Sequence, residues 1–289
     1  MRASEALASA SGRLSASHVP DATLEAEVLL RHIIDVSRAE LYASLDRPLG
    51  DAEVAELERL TGLRTEGEPL AYILGRREFY GIDLAVSRHV LVPRQETELL
   101  VEQVLEWHAR RAGNETAREP ATVKIADIGT GCGAIAMAIA SSLPEAAIYA
   151  TDISGDALKV ADANRRRLGV EGRVQLVRTD LLQGIRGTLD VIVSNPPYIP
   201  TGQLSSLARE IQAEPRVALD GGPDGLTVIR RMLAQAAERV NRGGLVLTEI
   251  APEQLERVMA EAATLFPGAL IRSARDLLEM PRAVAIEVD

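Results

Sequence analysis

Residues Lys124 to Ala140 read KIADIGTGCGAIAMAIA. A short β-type run stops at Ile128, three glycines (Gly129, Gly131, Gly133) fall within five residues, and an apolar stretch of helical character follows. The pattern predicts a strand, a tight turn and a helix. Glycines let the backbone turn sharply and let a ligand approach it closely, while the start of a helix offers unpaired N–H groups. Asp152 ends the next predicted strand about twenty residues later, where a carboxylate accepts the hydroxyls of a ribose. Counting Gly129, Gly131 and Ala134, the same loop also fits the dinucleotide pattern G-x-G-x-x-G/A, so a nicotinamide or flavin enzyme stays open, as does a turn that binds nothing.

Downstream of this unit, predicted strands (AIYATD, RVQLVR, LDVIVS, GGLVLTEI) alternate with helical segments (GDALKVADANRRRL, PDGLTVIRRMLAQAAERV, PEQLERVMAEAATLF) and end in a β-rich stretch toward AVAIEVD. That alternation specifies an α/β fold with a doubly wound, mostly parallel sheet. Upstream, residues 1–75 read as a small helical bundle. Asp21 stands as a cap for ATLEAEVLLRHIIDV, and Ser37 with Glu40 forms a capping box ahead of LYASL. The opening MRASEALASASGRLSAS has the Ala, Ser and Arg bias of a transit peptide, but Glu5 and its apolar spacing favour an amphipathic helix. Residues 76–112 follow, with β-type runs REFYGIDLAV and HVLVPR around Gly81 and a long helix that Thr97 begins. The polar stretch Ala112 to Ala121 sets the main boundary before a domain at 113–289.

The chain has 289 residues, 46% hydrophobic and 26% charged, as expected of a soluble globular protein. A net charge of −10 with 3% aromatic residues argues against a nucleic-acid groove. The lone cysteine, Cys132, excludes an internal disulfide and fits a reducing, cytoplasmic setting, and four scattered histidines carry no metal-ligand spacing. No apolar run reaches the roughly 20 residues a membrane span needs. Neither a metal nor a membrane is expected, and a monomer is.

After the strand LDVIV comes SNPPYIP, Ser194 to Pro200. In open α/β sheets ligands sit beyond the carboxyl ends of the strands, which puts this segment in one crevice with the glycine loop. A planar nitrogen, as in an amide or aromatic amine, has a delocalised lone pair and attacks carbon poorly. Two acceptors, the Asn195 side-chain oxygen and the Pro196 carbonyl, would each take one N–H and aim that lone pair. Pro196 and Pro197 stiffen the backbone and remove competing donors, and Tyr198 is placed to lie on the flat face of the group. A plain proline turn would leave Asn195 and Tyr198 unexplained. Cys132 reads as a small filler, since nothing nearby in sequence activates it.

Asp127, two residues before Gly129, completes D-x-G-x-G-x-G, which resembles the first motif of class I S-adenosylmethionine methyltransferases. With NPPY, the chain resembles amino-methyltransferases acting on planar nitrogens. The stretch EPLAYILGRREFYGIDLAVSRHVLVPRQETELLVEQVL, together with VSNPPYIP and EPRVALDGGPDGL, resembles the release factor glutamine methyltransferases (the HemK/PrmC family) over nearly the whole chain. The resemblance implies a Rossmann-like, mostly parallel seven-stranded sheet behind a helical bundle that holds the substrate protein. It implies S-adenosylmethionine as methyl donor, leaving S-adenosylhomocysteine, held by Asp127, Gly129, Thr130, Gly131, Cys132, Gly133, Asp152, Asp180, Leu181 and Asn195. It further implies methyl transfer to the side-chain nitrogen (N5) of the glutamine in the Gly-Gly-Gln loop of class I peptide chain release factors, held on Asn195, Pro196, Pro197 and Tyr198. The alternative is an adenine-N6 or other exocyclic-amine methyltransferase of nucleic acids, which the acidic composition disfavours. Two departures from the family pattern stand out: Gln95 replaces the proline of PRPET, and the tail EMPRAVAIEVD lacks the usual glycine and arginine pattern.

Overall fold

A computed structural model describes residues 1–114 and 122–289. Most of the polar stretch expected at the boundary lies outside the described residues. The chain divides into two compact units, Met1–Arg76 with Ala208–Ala213, and Arg77–Leu207 with Glu214–Asp289.

The first unit is helical: α1 (Ala3–Ala16), α2 (Ala22–Ile34), α3 (Arg38–Ala43), α4 (Asp51–Thr65) and α5 (Leu70–Leu74). Ala3, Ala6, Ala10 and Leu14 recur at helical spacing on α1 and are buried with Leu29, Leu30, Leu57 and Leu60. The Ser37 capping box forms, with Ser37 Oγ accepting from the Glu40 N–H at 3.3 Å and Glu40 Oε2 accepting from the Ser37 N–H at 2.8 Å. Asp21 takes the cap position of α2 in a left-handed conformation, and its side chain makes no capping bond. The short helix α9 (Arg209–Gln212) belongs to this unit. There Arg64, buried on α4, donates to both oxygens of Glu25 (2.6 and 3.0 Å) and to Glu210 at 2.7 Å.

The second unit opens with the hairpin β1 (Arg76–Phe79) and β2 (Ile82–Ala85), turned at Tyr80 and Gly81, both with positive φ as a two-residue type I′ turn requires. The run HVLVPR, expected as a β segment, is a loop. Its Val92 N–H donates to the Glu214 carboxylate at 3.4 Å instead of to a neighbouring strand, and Pro93 has no N–H to offer a ladder. A single turn, Gln95–Thr97, then precedes α6 (Glu98–Asn114).

The sheet that follows comprises β3 (Lys124–Ile128), β4 (Ala147–Asp152), β5 (Val174–Arg178), β6 (Leu189–Ser194), β7 (Val240–Glu249), β8 (Leu270–Arg275) and β9 (Pro281–Glu287). Their order is β5-β4-β3-β6-β7-β9-β8, with β9 antiparallel to both neighbours and the rest parallel. Helices α7 (Ala134–Ser142), α8 (Gly155–Arg167), α10 (Arg216–Leu219), α11 (Thr227–Ala237) and α12 (Leu255–Leu265) accompany it. All of Ala134 to Ala140 is buried, which is why that helix reads as apolar on every side. Ile229, Met232, Leu233 and Ala236 of α11 pack with Ile192, Val246, Val284 and Ile286 of the sheet. The strand order reverses between β3 and β6, so the switch point, where such sheets hold ligands, lies beyond Ile128 and Ser194.

Candidate functional site

At the carboxyl end of β3, Gly129, Gly131 and Gly133 all adopt positive φ (69°, 57° and 88°), which selects glycine at each. A Cβ added at Gly129 or Gly131 would meet nothing within 4 Å, whereas at Gly133 it would strike Met137 Cε at 2.8 Å. The first two glycines face open space, and the third lets the loop close onto its helix. The loop is held from below by Asp127, whose Oδ2 accepts from Thr130 Oγ1 at 2.6 Å and from the Ala136 N–H at 3.1 Å. Asp127 Oδ1 is buried with no hydrogen-bond partner. Burial lifts this carboxyl to about 7, against the pull of those two donors. From β4, Asp152 accepts the Gly131 N–H at 2.9 Å and the Ser154 N–H at 2.8 Å, one on each oxygen. Burial raises its pKa, and the backbone donors lower it.

Burial pushes the Cys132 thiol up to about 12, so it is an inert filler. Its carbonyl accepts from Asn164 Nδ2 at 2.9 Å, and the same buried amide exchanges bonds with the Ala85 N–H and C=O at 2.7 and 2.9 Å. Asn164 on α8 thereby fastens the β1–β2 hairpin to the glycine loop, a role that no local sequence signal announces. Beyond β5, Leu181 lies buried at φ 54°, a conformation that costs a non-glycine residue about 1–2 kcal/mol. Asp180 beside it is ion-paired through Oδ2 to Arg231 of α11.

The Asn195–Tyr198 segment leaves β6 and is clamped by the Asp220–Gly225 loop. The Ile199 N–H donates to the Leu219 carbonyl at 3.0 Å, the Gly221 N–H to the Ile199 carbonyl at 2.8 Å, and the Thr201 N–H to the Gly222 carbonyl at 2.9 Å. Gln254, buried at the turn before α12, donates from Nε2 to the Tyr198 carbonyl at 2.9 Å and to that of Gly225 at 3.4 Å. Asn195 donates from Nδ2 to Thr97 Oγ1 at 3.0 Å, and Thr97 donates to Glu249 Oε2 at 2.7 Å. The Tyr198 hydroxyl reaches Glu249 Oε1 at 3.4 Å. Glu249, at the end of β7, is 3% exposed, and burial raises its carboxyl to about 7. Burial likewise raises the Tyr198 phenol, with the Glu249 charge adding to it. Among the described residues, no protein donor meets Asn195 Oδ1 or the Pro196 carbonyl.

A cavity of about 560 Å³ opens over this ground, within the range of small-ligand pockets. Gly129, Thr130, Gly131, Cys132, Asp152, Asp180, Leu181, Asn195 and Pro197 line it, joined by Thr97, Arg231 and loop residues His89 to Leu91. Four residues named from the sequence do not line it. Asp127 and Gly133 act beneath the loop, Pro196 is buried, and the Tyr198 ring packs against the core while its hydroxyl faces Glu249. Arg94, for which the sequence offered no role, pairs with the buried Glu214 and so ties down the loop before α6. Thr97 and Glu249 were the residues sequence reading missed. They stand 98 and 54 positions from Asn195 and carry no shared motif; a buried threonine and glutamate become legible only when the sheet brings them together. Among the described residues, no three His, Cys, Asp or Glu side chains gather as a metal would require, and no helix is long and apolar enough to cross a membrane.

This strand order, with a glycine loop after the first strand of the sheet and an Asn-Pro-Pro-Tyr turn after the fourth, defines a methyltransferase of the class I fold. The hMettl16 catalytic domain in complex with MAT2A 3'UTR hairpin 1 shares the fold, with a TM-score of 0.57 and 13% identity over 89% of this chain and 90% of that one. The PrmC N-terminal domain family matches residues 5–75, and the methyltransferase small domain family matches residues 114–262. The release factor glutamine methyltransferase of Moorella thermoacetica is 44% identical over 256 residues, 88% of this chain and 87% of that protein. That of Bradyrhizobium diazoefficiens is 37% identical over 278 residues, 94% of this chain and 90% of that one. The chain belongs to the release factor glutamine methyltransferase family.

Proposed function

We propose that this protein transfers a methyl group from S-adenosylmethionine to the side-chain nitrogen (N5) of the glutamine in the Gly-Gly-Gln loop of class I peptide chain release factors. The observation that carries the reading is the fixed amide of Asn195. One N–H of its NH2 is given to Thr97, which leaves Oδ1 as an acceptor in a residue that lines the cavity; the carbonyl of the next residue, the buried Pro196, has no donor among the described residues. Two acceptors suit a primary carboxamide, which has two N–H groups to give. A carboxamide nitrogen gains positive character as it attacks, so both acceptors hold it more tightly in the transition state than before it, and that difference is what accelerates the step. No strong base is required at the nitrogen, because it keeps its protons until it gains positive character.

The residues present fit the methyl donor. Asp152 has a lone pair left on each oxygen for the ribose hydroxyls, Leu181 offers an apolar wall, and the two open glycines let a ligand lie against the backbone. Asp127, which does not line the cavity, holds the glycine loop in place from beneath through Thr130 and Ala136. When bound, S-adenosylmethionine supplies a methyl carbon activated by an adjacent sulfonium. In this reading the helical unit of residues 1–76 holds the release factor, and the protein works as a monomer in the cytoplasm.

The test is incubation with labelled methyl donor and either a release factor or its variant with the loop glutamine changed to alanine. Label that requires the glutamine supports the reading. Label appearing on RNA or DNA, with none on the release factor, replaces it by the nucleic-acid alternative.

A further inference from the structure

Beside Asn195 lies a buried chain of two groups, Thr97, which also lines the cavity, and Glu249, which does not. Thr97 is 4% exposed and Glu249 3%, and they join Asn195 in the order Asn195 Nδ2–H to Thr97 Oγ1, then Thr97 O–H to Glu249 Oε2. We propose that Glu249 and Thr97 are positioning residues for methyl transfer: the Glu249 carboxylate fixes the Thr97 hydroxyl proton, and Thr97 thereby fixes which end of the Asn195 amide faces the substrate. The inference rests on the reading of Asn195 Oδ1 as the acceptor for the substrate amide.

Donor and acceptor counts fix the direction of each bond in this chain. A threonine hydroxyl has one proton, and an ionised carboxylate only accepts. With its proton given to Glu249, Thr97 has nothing but lone pairs for Asn195 and must meet the NH2 end. Oδ1 is then turned to the cavity. Protonation gives Glu249 a donor of its own and removes the constraint. The Thr97 proton becomes free to turn to Asn195, which then meets it with Oδ1 and shows its NH2 to the cavity. A donor there repels the N–H groups it should receive. Polarity rather than shape is at stake, because the two ends of an asparagine amide are nearly isosteric.

The charges around Glu249 set where this change falls. Burial dominates and raises the carboxyl to about 7, Glu96 adds to the rise, and Thr97, Tyr198 and Arg282 oppose it. Ionised Glu249 thus becomes scarce within reach of ordinary assay pH, and turnover should fall toward acid. The acceptor glutamine does not titrate. Asp127, also raised to about 7, lies beneath the glycine loop and would act on donor binding, so assays at saturating methyl donor remove its contribution.

The experiment measures kcat for glutamine methylation of a release factor from pH 5.5 to 9 at saturating methyl donor, for wild type, Glu249→Gln, Thr97→Val and Thr97→Ser. Wild type is expected to lose activity several-fold on the acid side with a midpoint near 7. Glu249→Gln, whose amide does not titrate, should lose that limb whatever its plateau. Thr97→Val, similar in shape but without a hydroxyl, should lose about 10- to 100-fold in kcat, the range for outer partners that orient a functional ligand, while its KM for the donor changes little. Thr97→Ser should recover most of the activity. A purely structural role would lower melting temperature without moving the acid limb or separating valine from serine. An acid limb that persists in Glu249→Gln, or equal kcat in Thr97→Val and wild type, overturns the inference while leaving the parent function intact. If Glu249→Gln fails to fold, the valine and serine pair decides alone. Wild type that labels no glutamine overturns the parent reading, and this inference with it.

Discussion

Replacing Gly225 by alanine should cripple turnover while leaving the methyl-donor pocket nearly untouched. Gly225 sits at φ 75°, and a Cβ built there lies 2.3 Å from the Tyr198 carbonyl oxygen and 2.6 Å from Gln254 Nε2. Those two atoms are themselves hydrogen-bonded at 2.9 Å, so the methyl group lands in the bond that holds the Asn195–Tyr198 turn. Since real Cβ contacts stay above 3.0 Å, the carbonyl must retreat by about 0.7 Å (3.0 − 2.3). The left-handed backbone costs alanine about 1–2 kcal/mol, and a buried amide stripped of its partner costs about 1–3 kcal/mol. A loss of about 2–5 kcal/mol should lower the melting temperature by roughly 4–20 °C in a unit of this size. If the turn carries that displacement of the Tyr198 carbonyl on to the Asn195 and Pro196 oxygens, kcat should fall by up to about 100-fold. Gly225 does not line the cavity, so donor affinity measured by calorimetry should stay within about threefold. Gly243→Ala is the control: φ there is 72° but nothing lies within 4 Å, so it carries the backbone strain without the collision. Wild-type kcat and melting temperature in Gly225→Ala would refute the clamp, as would equal losses in the two variants.

Asn195→Ala should bind the methyl donor nearly as wild type does and lose about 2–4 kcal/mol of transition-state stabilisation in single-turnover transfer, by comparison with lost oxyanion donors; full activity would discredit Asn195 as the acceptor. Asp152→Ala should mainly weaken donor affinity, read by calorimetry, because a ribose contact is similar in ground and transition states; a loss confined to kcat contradicts that assignment. The buried acids also give the donor-free protein a stability that depends on pH. Asp127 rises from 3.8 to about 7 on folding, so the folded state binds the proton more tightly. Its contribution is complete below 3.8 and is lost as pH climbs through about 7. Comparing melting temperatures at pH 5 and pH 8, Asp127→Asn should show a smaller fall than wild type; an equal fall means that Asp127 is not raised.

The order of strands and helices from Lys124 to the end was legible because period and punctuation are local: apolar runs of strand length, glycines at the turns, and amphipathic helices between them. The bundle was legible for the same reason, through spacings such as Ala3, Ala6, Ala10 and Leu14. HVLVPR misled because its valines are buried by tertiary packing, while its backbone N–H groups bond to Ser87 and to the Glu214 side chain rather than to a strand. Thr97 was read as the beginning of a helix, yet its hydroxyl serves Glu249, a partner 152 positions away that no local rule supplies.

By itself the sequence determined the sheet's alternation, the glycine loop and the polar turn after β6, since each is written in consecutive residues whose backbone preferences act over a few bonds. Tertiary structure alone decided that Gly225 and Gln254 brace that turn, that Asn164 fastens the hairpin to the glycine loop, and that Thr97 links Asn195 to Glu249. Hydrogen bonds form between groups that folding brings within about 3 Å, and the separation of those groups along the chain carries no trace of it.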